Sequence, residues 1–141
     1  RGGGLDVTEK EEAMTKRVLI VDDDSSVRRV LARSFERAGY AVSTAPHGEA
    51  ALGELSAAHY DVMICDIQMP RMSGPMLCRH LVTTGPYLPR ITLIVTSRSE
   101  DEERAWVSAF PGVSIVEKPV GPKHLLRVVR ERLEPEVEVD R

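Results

Sequence analysis

"MICDIQMP", residues 63–70, is an apolar run that stops at an acid, Asp66, and breaks into a loop. Extended back to "DVMIC" (61–65), it has the length and unbroken apolarity of a strand buried on both faces. A carboxylate at the end of such a strand is partly desolvated, which costs free energy unless a partner holds it ionised. The search for that partner leads to the rest of the chain.

Four more apolar runs recur: "RVLIV" (17–21), "YAVSTA" (40–45), "RITLIV" (90–95) and "VSIVE" (113–117). With 61–65, four of the five are continuous enough for fully buried strands; 40–45 alternates, as an edge strand does. Helical patterns lie between them. Val27, Val30, Leu31, Ser34, Phe35 and Ala38 follow i, i+3, i+4 spacing, with Gly39 at the expected helix end. Residues 47–57 carry Ala50, Ala51 and Leu55. The span 75–84 opens on a proline and is followed by Gly85. Ser99 to Phe110 opens on "SEDEE", a capping serine with acids in the first turn. Pro122 to Leu133 carries Leu125, Leu126, Val128, Val129 and Leu133. The order βαβαβαβαβα implies a parallel sheet with helices on both faces. In such sheets ligands bind outside the carboxyl ends of the strands.

Composition sets the bounds. The chain has 141 residues, 29% of them charged, and a formal net charge of −3. One mildly acidic domain is expected, without the basic footprint of a nucleic-acid binder. No apolar run is long enough to cross a bilayer, and the start "RGGGLDVTEKEEAMTK" lacks a signal peptide's apolar centre. Cys65 and Cys78 sit in apolar contexts and read as buried reduced thiols of a cytoplasmic protein. Residues 1–15 are expected to be a linker or expression-derived tail, 16–134 the domain, and 135–141 a tail or linker after the stop at Pro135. The chain reads as a piece of a longer protein.

The strand ends collect the chemistry. Asp22, Asp23 and Asp24 follow the first strand, Asp66 the third, Thr96 the fourth and Lys118 the fifth. Close carboxylates repel and call for a cation; oxygen-only ligands favour a hard ion such as Mg²⁺. Metal and ammonium together would hold Asp66 ionised. A carboxylate so placed, beside a hydroxyl, is suited to taking a phosphoryl group.

"VLIVDDD", "ICDIQMPRMSG", "IVTS" and "VEKP", in this order and spacing, resemble the receiver domain of two-component response regulators over about residues 16–134. The resemblance implies an α/β, flavodoxin-like, doubly wound five-stranded parallel sheet of order 2-1-3-4-5 with five helices. It implies that Asp66 is the phosphoacceptor. Asp23, Asp66 and the backbone carbonyl of Gln68 would ligate Mg²⁺, Asp22 would orient metal-bound water, and Thr96 and Lys118 would contact the phosphoryl group. It further implies a cis Lys118–Pro119 bond. Its partners would be a sensor histidine kinase or phosphotransfer protein, an output domain or downstream protein, and a phosphorylation-dependent second copy; it implies no nucleic-acid or membrane contact.

Other readings stand beside these. Asp24 is expected to cap the first helix with Ser25 rather than bind metal. His47, His59, His80 and His124 show no ligand spacing. Trp106, Ala109 and Phe110 form one helical stripe, read first as core and second as a partner surface. A phosphatase using an aspartyl-phosphate would place an acid two residues after the nucleophile; Gln68 stands there and cannot shuttle a proton. The same amide favours a module that keeps its phosphoryl group, with Arg98 screening it from water. A degenerate receiver that binds partners without phosphorylation is the remaining alternative. One departure concerns the switch: the family often carries Tyr or Phe three residues before the lysine, and this chain has Ile115.

Overall fold

A computed structural model describes residues 15–97 and 105–134. Five parallel strands pair in the order β2-β1-β3-β4-β5: β1 (Arg17–Val21), β2 (Ala41–Ala45), β3 (Val62–Asp66), β4 (Ile91–Thr96) and β5 (Val113–Glu117). The helices are α1 (Ser25–Arg37), α2 (Gly48–Ala57), α3 (Gly74–Thr83), α4 (105–107 among the described residues) and α5 (Pro122–Leu133). Both terminal segments expected as tails fall almost wholly outside the described residues, as do Arg98 and the "SEDEE" start of the predicted helix 99–110.

Strand alternation divides the core in two. Leu19 and Val21 of β1 face α2 and α3, with Ala51, Leu55, Leu77 and Leu81; Trp106, Val107 and Phe110 pack on that side. Val18 and Ile20 face α1 and α5, against Leu31, Phe35, Leu125 and Val129. Burial of these side chains on both faces is what the continuous apolar runs required.

Local chemistry sets the helix ends. Asp24 caps α1 by accepting from the Ser26 and Val27 N–H groups, without help from Ser25. His47, for which the sequence indicated only the lack of ligand spacing, caps α2 through Nδ1, which accepts from the Ala50 N–H at 3.1 Å. Ser73 caps α3, and Pro75 stands in its first turn. Helical structure in α4 stops at 107 rather than 110. Turn bonds from Ala109 to Trp106 and from Phe110 to Val107 follow, because Pro111 disfavours helical backbone at the residue before it.

Two expectations about burial change. Strand β5 is only partly buried, since it forms the second edge of the sheet. On α1, Leu31 and Phe35 are buried, but Val27 and Val30 are exposed to 39% and 53%. They border an apolar cleft of about 680 Å³ between α1 and the β5–α5 loop.

Candidate functional site

Parallel pairing puts every strand's carboxyl end at one edge. In register, Asp66 lies beside Val95 and Thr96 beside Glu117, so β3, β4 and β5 deliver their last residues to neighbouring positions. Asp66 and Thr96 are the final strand residues themselves rather than the first loop residues.

Carboxylate oxygens of Asp22, Asp23 and Asp66 lie within 4.8 Å of one another. Asp22 is 8% exposed, and its Oδ1 accepts from the Asp24 N–H at 2.9 Å. Burial pushes the Asp22 carboxyl above its usual range. The Asp24 N–H opposes that rise, Asp66 and Asp23 add to it, and Lys118 counteracts it. Arg28 Nη1 donates to the Asp22 carbonyl at 2.6 Å. Nothing in the sequence flagged this bond, because it depends on how α1 leaves the strand.

Lys118 Nζ stands 3.3 Å from Asp66 Oδ1, with the ammonium's side chain 41% exposed and the carboxylate's 11%. The Lys118–Pro119 bond is cis. Thr96 is buried, and its carbonyl accepts from the Lys118 N–H at 2.6 Å. Beside Asp66 opens a polar cleft of about 280 Å³, lined by Gln68, Ser73, Thr96, Ser97 and Lys118 among others. Ser73 and Ser97 were not singled out in the sequence, since a loop serine carries no spacing signal. Cys65 and Cys78 are free and buried. Burial pushes the Cys65 thiol far up and Cys78 to about 12, so neither is poised for nucleophilic work.

The donor set suits a hard cation. Three carboxylates face one ammonium, one of the three is desolvated, and all donors are oxygens. Thus Asp22, Asp23, Asp66, Thr96 and Lys118 come together as expected. Asp24 is turned away to its cap.

A sequence model described as "Response regulator receiver domain" matches residues 18–130. This chain belongs to that family. It is the receiver domain of a response regulator, a signalling module of two-component systems. The response regulator MprA of Mycobacterium bovis (strain BCG / Pasteur 1173P2) is 36% identical over 126 residues, covering 87% of this chain and 54% of that protein. MprA of Mycobacterium tuberculosis (strain ATCC 25618 / H37Rv) matches with the same figures. The receiver domain thus spans about half the length of the curated relatives it matches. Among solved structures, the Vibrio cholerae chemotaxis protein CheY4 superposes with a TM-score of 0.78 at 30% identity, covering 84% of this chain and 99% of that one. The BeF3-activated DrrB receiver domain superposes at 0.72 with 27% identity, covering 86% and 100%. Among the described residues no helix is long and apolar enough to cross a membrane.

Proposed function

We propose that Asp66 accepts a phosphoryl group from a phosphohistidine of a sensor kinase or phosphotransfer protein, and that the receiver switches partner binding in response. The observation that carries this is the Asp66 carboxylate, in contact with Lys118 and adjoining Asp22 and Asp23 at the end of a buried strand. An Asp66 oxygen attacks phosphorus, the P–N bond breaks, and the imidazole leaves with the electron pair. Lys118 neutralises charge on the transferred group, and the Thr96 hydroxyl donates a hydrogen bond to it.

Asp22, Asp23, Asp66 and the Gln68 carbonyl would hold Mg²⁺, which supplies neutralisation of the phosphoryl oxygens when bound. Gln68 offers no general base, so hydrolysis of the aspartyl phosphate is slow and catalysis is confined to the domain's own modification. The domain works in the cytoplasm beside an output domain or downstream protein, and phosphorylation favours a second copy. The proposed output face comprises α4, β5 and α5. Residues 16–134 act as the domain, flanked by linkers.

Intact-mass measurement after incubation with acetyl phosphate and Mg²⁺ tests the reading. One added phosphoryl group is expected in the wild type and none in Asp66→Asn. Equal labelling of the variant would overturn the assignment.

A further inference from the structure

The chain as a whole is acidic, with a formal net charge of −3, yet one of its faces is basic. Helices α1 and α5 lie on the same side of the sheet and bury Leu31, Phe35, Leu125 and Val129 in one cluster. Residues opposite those four on each helix therefore point away from the sheet. On α1 they are Arg29, Arg33 and Arg37, spaced i, i+4, i+8; on α5 they are Lys123, Arg127 and Arg130. All six are exposed. The only acids within the two helices are Glu36 and Glu131.

Local helix chemistry does not account for this pattern. Like charges four residues apart weaken a helix, and Arg29–Arg33, Arg33–Arg37 and Lys123–Arg127 are such pairs. Neither helix has an acid in its first turn, and α5 carries Lys123 there, where the helix dipole disfavours a cation. Among the described residues none of the six forms an ion pair; Arg127 Nη2 meets the His124 ring, 2.8 Å from Nδ1. Flanking the arginines on α1, Val27 and Val30 are exposed to 39% and 53%.

We propose that the α1–α5 face docks on an anionic phospholipid surface. Clustered cations beside exposed aliphatic side chains suit the headgroup layer of a bilayer: the cations meet lipid phosphates, and the valines meet the acyl boundary. Two helices side by side give a broad face rather than a protruding reading element. A nucleic-acid partner fits less well. Neither helix carries Asn or Gln to read base edges, and neither exposes a Phe, Tyr or Trp ring to stack on them. Net charge alone implied no such contact, because acids elsewhere in the chain outnumber these cations. The proposal is independent of the phosphoryl-accepting reading of Asp66.

Sedimentation with vesicles tests it. The wild-type domain should bind vesicles of mixed phosphatidylcholine and phosphatidylglycerol, bind pure phosphatidylcholine far more weakly, and be released by added salt. Arg33→Gln should lower partitioning about fivefold, and Arg33→Gln combined with Arg127→Gln about twentyfold, since each cation contributes separately. Arg79→Gln, an exposed position on α3 at the other side of the sheet, should leave partitioning unchanged. An equal loss from Arg79→Gln would overturn the assignment to this face. Absence of binding to the anionic vesicles, or binding to duplex DNA alone, would overturn the proposal outright. Should a variant fail to fold, wild-type ¹H–¹⁵N spectra with bicelles containing phosphatidylglycerol decide. Amides of α1 and α5 should broaden ahead of those of α2 and α3, and uniform broadening would overturn the proposal. Labelling of Asp66 by acetyl phosphate is read separately, so failure here leaves that reading untouched.

Discussion

The Lys118 ammonium lies 3.3 Å from Asp66 Oδ1 across 52 residues of chain. The contact exists because β3 and β5 flank β4 and all three run the same way, so their last residues share an edge. The ion pair is partly solvated, which limits its worth to folding, while the same geometry presents a cation to any group carried by Asp66.

Lys118→Ala should therefore separate stability from function. Urea unfolding is expected to change by less than about 1 kcal/mol. The rate of phosphorylation by acetyl phosphate should fall at least tenfold, since an ammonium facing developing charge is lost. A large loss of stability with a normal rate would mean that the pair is structural.

Asp22→Asn should stabilise the metal-free domain at neutral pH. The folded pKa of Asp22 is raised above its unfolded value, mainly by burial. Over that interval the folded state binds more protons than the unfolded one, so the Asp22 contribution is present below the unfolded value of 3.8 and lost as pH rises through the folded pKa. Urea midpoints in EDTA at pH 4 and pH 7 should differ less in the variant than in the wild type. Added Mg²⁺ should raise the wild-type midpoint and the variant's less. Asp23, which is exposed, should give the weaker stabilisation when replaced.

Gly74→Ala should disturb the site from behind. A Cβ at Gly74 would sit 3.2 Å from the Asp66 carbonyl oxygen and 3.3 Å from Ile67 Cα, both backbone atoms that cannot swing aside. Overpacking of this kind costs about 1–3 kcal/mol. Amide shifts in the variant should centre on Asp66 and Ile67. Shifts confined to α3 would show that the helix yields instead.

Gln68→Asp should shorten the lifetime of the phosphorylated state by supplying a general base beside Asp66. Gln68 lines the same polar cleft as Asp66 and is exposed to water. Phosphoprotein decay followed by intact mass should be faster by about tenfold or more. An unchanged rate would assign the lifetime to water access rather than proton transfer.

Sequence alone determined what is local or periodic. Strands β1 and β5 begin and end at the expected residues, because a run of five residues rich in Val and Ile between polar flanks is too short for a helix and suits a strand. Asp24 declared itself a cap by preceding an amphipathic run. The acids, threonine and lysine were legible as one set because a parallel sheet sends all strand ends to one edge. Tertiary structure decided what depends on coverage by distant elements. Val27 and Val30 have the same helical spacing as Leu31 and Phe35, yet only the latter pair is buried. Periodicity names a face; what packs over that face is set elsewhere in the chain. Asp22 and Asp23 are adjacent and chemically identical and reach the same cluster, yet one is desolvated and the other exposed, a difference set by what the fold packs around each. The buried Trp106 indole N–H, without a hydrogen-bond partner among the described residues, has no signature in sequence at all, since a missing acceptor is a property of everything that surrounds the ring.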